Sequence, residues 1–269
     1  MRAKSDSTSI GGNLMKLSIS YILAFIISLA FMSSTLKAEE TAKSKEGEWK
    51  SNIEFGYVAT SGNTKTTSIN GGFSASYEVK LWKHSVDIKT IFGSAEDSTT
   101  SEVETNAERY FIEGKSDYNY SDKSYAFAMA NYEDDRFSDN DYQTLLSVGR
   151  GLKIDTSDNS KLDLELGVGY RKTLKKETIL LAEESISETI VRLAANYSWD
   201  ITENSKFEQK LSSDIGEDDT VIKSYTGLSA NFAKNLALKL SLTATHHSEV
   251  RGDTEKLDTV TAVTVVYNF

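Results

Sequence analysis

From position 49 onward, apolar and polar residues alternate with a period of two. The C-terminal segment runs Leu257, Thr259, Thr261, Val263, Val265, Tyr267 and Phe269 on odd positions, against Asp258, Thr264 and Asn268 on even ones. Leu236, Leu238, Leu240 and Leu242 oppose Lys239, Ser241 and Thr243. Leu162, Leu164, Leu166, Val168 and Tyr170 oppose Asp163, Glu165, Gly167, Gly169 and Arg171. Val191, Leu193, Ala195, Tyr197 and Trp199 oppose Arg192 and Asn196. Successive side chains on a strand point to opposite faces, so each segment predicts a strand with one apolar and one polar face. A helical period is suggested only over Glu177–Ser185.

Turn-forming residues separate these segments. Gly, Asn, Asp and Ser favour turns through positive φ or through side chains that bond their own backbone. The predicted turns are Ser61–Thr64 (with Gly62 and Asn63 at its centre), Leu81–Lys83, Glu96–Thr100, Tyr120–Lys123, Asp134–Asn140, Asp155–Ser160, Thr173–Ile186, Thr202–Ser205, Gly216–Asp219, Ala233–Asn235 and Glu249–Lys256. They imply about twelve strands of roughly ten to fifteen residues, with longer and shorter connections alternating, as in outer-membrane barrels. Two strands break the rhythm. Glu102–Tyr118 carries Glu104, Glu108, Arg109, Glu113 and Asp117 on mixed parities, and Gln143–Ile154 puts Arg150 on its apolar side. A slip past a bulge, or a portion above the bilayer, would account for either.

Composition narrows the alternation to one architecture. The 269 residues include neither Pro nor Cys. Without Cys there is no disulfide framework, thiolate metal site or catalytic thiol. Pro survives in sheets mainly on edges, so its exclusion suits a closed barrel, which has none. Tyr is abundant at 13, and aromatic residues fall near the strand ends. These are Trp49, Tyr77, Trp82, Tyr110, Tyr118, Tyr120, Tyr125, Tyr132, Tyr142, Tyr170, Tyr197, Trp199, Tyr267 and Phe269. Amphipathic rings at strand ends predict girdles where hydrocarbon meets headgroup. The expected fold is an all-β, antiparallel up-and-down transmembrane β-barrel over 49–269. A soluble periplasmic β protein, burying the same apolar rows, is the competing architecture.

Ahead of the barrel, Met15-Lys16 precedes an apolar run from Leu17 to Met32, then Ser33, Ser34, Thr35 and Leu36-Lys37-Ala38. This is the layout of a secretory signal peptide over 1–38, with cleavage between Ala38 and Glu39 and Met15 as an alternative start. Residues 39–48 form a polar N-terminal segment. The formal net charge is −10, and loss of 1–38 removes more basic than acidic residues. An acidic exported chain is unsuited to nucleic acid.

Valines 263 and 265 share a face with Tyr267 and the terminal Phe269. This row is similar to the C-terminal signature through which the barrel assembly machinery recognises its clients. The opening hairpin Phe55-Gly-Tyr-Val-Ala-Thr-Ser-Gly-Asn-Thr64, the stretch Tyr132–Tyr142 and the strand Leu164–Arg171 resemble the salt-induced outer-membrane protein (YdiY-like) family. The resemblance implies a Gram-negative outer-membrane barrel of unassigned activity, in contact with outer-membrane lipid and lipopolysaccharide.

Candidate chemistry is sparse. The face expected to line the lumen carries both signs: Glu54, Asp87, Lys89, Asp163, Glu165, Arg171, Arg192 and Lys239, joined by Lys206, Glu208, Lys210, Asp214 and Lys223. A selective channel would favour one sign, so mixed charge predicts a plugged or weakly selective barrel: a structural envelope protein or a narrow pore. His246-His247-Ser248 falls at the outer end of a strand near Asp253, which keeps a rim enzyme acting on lipids or peptides as an alternative. Neighbouring residues point to opposite faces, so a Ser–His pair there would need a partner from another strand. The acidic runs Glu133-Asp134-Asp135 and Glu217-Asp218-Asp219 lack the spacing and Gly of a Ca²⁺ loop. No cofactor and no metal site are expected.

Overall fold

The computed structural model describes residues 47–60, 66–96, 102–177, 184–250 and 255–269. The signal-peptide cleavage pair Ala38-Glu39, the turn residues Gly62 and Asn63, the core of the stretch with helical period, and Asp253 all lie outside the described residues.

Twelve strands follow in order: β1 (Glu48–Thr60), β2 (Thr66–Val79), β3 (Trp82–Glu96), β4 (Val103–Ser121), β5 (Ser124–Asp135), β6 (Asn140–Ser157), β7 (Ser160–Lys175), β8 (Glu184–Thr202), β9 (Ser205–Ile215), β10 (Thr220–Ala233), β11 (Leu236–His247) and β12 (Leu257–Asn268). Each pairs antiparallel with its neighbours in sequence, and β12 returns to β1 to close the barrel. The closing seam is short: Asn52, Ile53, Glu54 and Phe55 pair with Asn268, Tyr267, Val266 and Val265.

Several strands exceed the expected lengths, since β4 and β8 each have 19 residues. A tilted strand crosses the hydrocarbon in about 9–11 residues, so these two extend well past that thickness. The extra length comes from segments assigned above to turns. Asp155–Ser160 contracts to the two residues Asp158-Asn159, and Leu81–Lys83 becomes Lys80-Leu81, with Lys80 at φ 55°. The broad loops Asp134–Asn140 and Thr173–Ile186 shorten to 136–139 and 176–183. Ladder hydrogen bonds satisfy backbone groups that turn chemistry would leave open, so pairing continues as far as partners exist. At the end with the termini of the barrel, where β1 begins and β12 stops, every connection has two residues; those at the opposite end are all longer.

The two irregular strands have different explanations. In β4, Gly93 pairs with Ala107 but Ser94 with Thr105, so Asn106 is an extra residue and parity slips there. That bulge is why Glu104 falls out of phase with Glu108. In β6 the register is unbroken from Gln143 to Ile154. Arg150 does face outward, beside the exposed Leu152. Its Nε and Nη2 donate to the Tyr120 hydroxyl at 3.1 and 2.8 Å, and its guanidinium lies 5.4 Å from that ring. The long apolar stem thus carries the charge to the aromatic level.

The alternation determines which side is greasy. Leu146, Leu166, Leu238, Leu240 and Val263 are all exposed, Leu166 at 60%. All stand on the outer face of a closed sheet. A soluble barrel would bury such rows; here they form a predominantly apolar exterior, the surface hydrocarbon requires. Aromatic pairs mark two levels on it. Trp49–Tyr77, Trp82–Tyr118 and Tyr267–Phe269, with centroids 4.6, 5.0 and 4.9 Å apart, sit at the end with the termini. Phe92–Tyr110 and Tyr132–Tyr142, at 5.5 and 5.9 Å, sit toward the other end.

One aromatic residue corrects the girdle expectation. Tyr125 points inward and is 2% exposed. With Phe127, Met129, Leu145 and Ile190 it forms a hydrophobic cluster inside the barrel. Facing glycines make the room. A Cβ on Gly151 would overlap the Tyr125 ring, and one on Gly149 would meet the Leu166 carbonyl and Phe127. The β5 side chains lie over a groove with no Cβ atoms in it, and the β5–β8 half of the lumen is packed.

Candidate functional site: the charged lumen

The eight charged residues expected to line the lumen share the inner parity. The paired registers run Glu54↔Gly72↔Lys89, Ser74↔Asp87, Arg192↔Asp214 and Lys239↔Thr264. Asp163, Glu165 and Arg171 sit on β7 in phase with them. Opposite signs are brought together, mostly between strands.

In the packed half, Glu165 accepts from the Tyr125 hydroxyl at 2.7 Å and pairs with Lys115, which also reaches Asp117 at 3.3 Å. Arg171, 2% exposed, donates from Nε and Nη2 to Glu188 Oε1 at 3.0 and 2.6 Å. Its Nη2 also donates to the Asp219 carbonyl, while Glu188 Oε2 accepts from the Asp218 amide at 2.9 Å. Arg192 bonds both oxygens of Asp214 at 2.7 and 2.9 Å. Lys153 donates to Asn119 at 2.7 Å.

Other contacts cross the bore. Lys223 on β10 reaches Glu133 on β5 at 2.6 Å, and Glu133 also pairs with Arg109 on β4. Lys223 lies 5.6 Å from the Phe111 ring, which belongs to β4, directly opposite β10 in a ring of twelve. Both acidic runs make contacts within the protein: Glu133 through its carboxylate in this bridge, Asp218 and Asp219 through their backbone amide and carbonyl to Glu188 and Arg171. Among the described residues, no three His, Asp or Glu side chains converge to hold a metal ion.

Free space lies on the other side of the bore. A cavity of about 500 Å³ opens among the two-residue turns at the end with the termini, lined by Glu54, Lys206, Glu208 and Lys239 among others. A deeper one of about 90 Å³ contains Lys89 and Tyr225 and shares Glu54 and Lys239 with the first. The Lys239–Glu54 ion pair divides them. Near the opposite end, around Arg109, Glu133 and Lys223, only about 30 Å³ remains.

At that opposite rim His247 does meet an acid, but it is Asp219. The imidazole Nδ1 donates to Oδ2 at 2.7 Å, while the Ser248 hydroxyl and the Glu249 amide donate to Oδ1 at 3.0 and 3.1 Å. Ser248 thus serves the carboxylate, not the imidazole, and His246 points to the outer face beside Leu242 and Ala244. Burial would raise the Asp219 carboxyl, but these donors outweigh it and hold its pKa down to about 2. A depressed carboxylate stabilises the fold above its unfolded value, and the contribution is lost as pH falls through the folded value. Protection of the amides over 216–219 and 247–250, taken relative to intrinsic exchange at each pH, should hold down to about pH 4 and fall between about pH 4 and 2. Protection already lost at pH 5 would contradict this latch.

At the C-terminus, Val263, Val265 and Tyr267 form one exposed outward row, with Phe269 packed edge-on against Tyr267. Val265 and Tyr267 belong to the closing seam.

The chain is similar to several known proteins. The translocator domain of the autotransporter NalP from Neisseria meningitidis aligns with 94% of the chain and 98% of its own, at 12% identity and a TM-score of 0.47. The NanC porin aligns with 81% and 98%, at 11% identity and 0.49. In sequence, the uncharacterized protein YdiY of Escherichia coli (strain K12) is 28% identical over 203 residues, 75% of each chain. The family described as "Protein of unknown function, DUF481" matches residues 53–269. The match spans the barrel from its first strand to its last residue, and the chain belongs to that family as a YdiY-like member.

Proposed function

We propose that the protein is a non-enzymatic outer-membrane barrel of the Gram-negative envelope whose lumen is closed by its own side chains, a structural element rather than an open pore. The observation that carries this reading is the bridge across the bore: Lys223 to Glu133 to Arg109, backed by the Tyr125–Phe127 cluster. Opening an ion pair in a confined lumen leaves each charge without its partner in a site short of water, a desolvation penalty of several kcal/mol per ion. In this reading, residues 1–38 are a signal peptide cleaved between Ala38 and Glu39. The two-residue turns face the periplasm and the longer connections face outward. The exterior contacts outer-membrane lipid and lipopolysaccharide. The barrel assembly machinery reads Val263, Val265, Tyr267 and Phe269.

The test is insertion of the refolded mature chain into planar bilayers. The expected result is stable insertion with no steady ohmic current at modest voltage. A steady conductance would overturn the closed lumen. A folded chain that stays soluble without detergent would overturn the membrane reading in favour of a periplasmic β protein. Hydrolysis of lipid or peptide abolished by His247→Ala would establish the rim enzyme in place of the structural role.

A further inference from the structure

Three ammonium groups surround one ring inside the barrel. Lys89 Nζ lies 5.4 Å from the Tyr225 centroid, Lys210 Nζ 5.7 Å and Lys239 Nζ 5.9 Å. They come from β3, β9 and β11, so the closure of the barrel, not local sequence, brings them together. Lys239 is neutralised by Glu54. Among the described residues, Lys89 and Lys210 have no carboxylate within ion-pair distance. The nearby inner-face acids are fewer than the lysines: Lys89, Lys206, Lys210 and Lys239 face Glu54, Asp87 and Glu208. Asp87, next along β3, accepts from Ser74 at 2.6 Å, and Glu208, next along β9, pairs with Lys206 at 2.9 Å. Elsewhere in the lumen Lys115, Arg171, Arg192 and Lys223 each have a carboxylate partner. Two like charges held on one aromatic ring repel each other, and a ring quadrupole offsets only about 0.5–2 kcal/mol of cation desolvation. The cluster thus keeps a surplus of one positive charge, which a single oxyanion would balance.

Access is also present. Lys89 lines the deeper cavity, and the wider cavity opens at the end with the termini; a solute passing from one to the other must part the Lys239–Glu54 pair that stands between them. The wider cavity is lined by Asn52, Thr202, Asn204, Ser205, Ser229 and Asn231. Amide and hydroxyl groups suit a hydroxylated solute, which donates and accepts in turn. We infer that Lys89 and Lys210, set around Tyr225, form a binding site for an oxyanion (phosphate or carboxylate) carried by a small hydroxylated solute that enters from the end with the termini. The inference goes beyond the closed-barrel reading and is independent of whether the barrel conducts.

Calorimetry on the refolded chain in uncharged detergent tests it, with inorganic phosphate and gluconate as probes and sorbitol as the neutral control. The expected result is saturable one-to-one binding of at least one anion that persists in about 0.15 M sodium chloride, where exposed charges are largely screened beyond about 8 Å. Sorbitol should not bind. Lys89→Met with Lys210→Met should weaken the anion at least about tenfold, equivalent to about 1.4 kcal/mol. Lys153→Met, a lumen lysine bonded to Asn119, should leave it unchanged. Should the double variant not refold, Lys89→Gln alone decides, with a loss of about fivefold or more expected. Binding of neither anion, loss of binding in salt, or equal affinity in the lysine variants would each overturn the site.

Discussion

Gly151→Val should strongly destabilise the barrel, and should cost far less in a chain that already carries Tyr125→Ala. The first Cβ atom at position 151 would already occupy the Tyr125 ring. The ring cannot swing away freely, because it is packed at 2% exposure and its hydroxyl is committed to Glu165. Overpacking costs about 1–3 kcal/mol. Losing a hydrogen bond to a buried carboxylate adds about 1.5–3 kcal/mol. Together these approach the whole stability of an ordinary domain. Tyr125→Ala alone costs about 3–5 kcal/mol for the lost aromatic ring, but in that background the added methyls enter the vacated space, so the two substitutions are strongly non-additive. Position 149 provides the contrast. There the obstruction includes the Leu166 backbone carbonyl as well as Phe127, so Phe127→Ala should not rescue Gly149→Val. The heat-dependent mobility of folded barrels in detergent gels, with far-UV circular dichroism, reads both outcomes. Rescue at 149 but not at 151 would refute this account of the packed half.

These glycines mark the limit of what alternation reveals. The parity of Asp163, Glu165 and Arg171 along β7 is legible because it depends on one strand. So is the outward row of Leu164, Leu166 and Val168, since a closed barrel in lipid must expose it. The strand lengths were less legible: turn-forming residues such as Asp155 and Ser160 are absorbed into β6 and β7 once partners are available. Tyr125 looked like a girdle residue because it starts a strand, yet one step of parity puts it in the core. Its role becomes visible only when β5 is set beside Gly151 of β6. Periodicity within a strand cannot supply that cross-strand neighbour. The same reason hid Asp219 as the partner of His247 and the meeting of Lys89, Lys210 and Tyr225. These contacts depend on closure and on which strands face each other across the bore. Arg150 was legible in position but not in purpose, which depends on the Tyr120 hydroxyl one strand beyond its neighbour β5.

Arg171→Met should destabilise the barrel by about 3–5 kcal/mol, the cost of leaving a buried carboxylate without its cation. Glu188 would then face the lumen with only the Asp218 amide as donor. The loss should exceed that of Lys206→Met, whose pair with Glu208 stands in the wet cavity with side chains 44% and 32% exposed; such pairs contribute about 0–1 kcal/mol. The double variant Arg171→Met with Glu188→Leu separates charge from volume. Both side chains enter a region already lined by Ile190, and replacing a buried ion pair with apolar groups is often neutral or stabilising. The double variant should therefore recover most of the loss, short of the two backbone contacts: Arg171 to the Asp219 carbonyl and Glu188 to the Asp218 amide. Urea titration of the refolded chain in micelles, followed by Trp fluorescence, gives the three midpoints. If the double variant is as unstable as Arg171→Met alone, the latch between the 216–219 connection and the rim is the principal role of Arg171. If neither variant changes the midpoint, the pair is hydrated in solution and the lumen is more open than the packed arrangement around Ile190 allows.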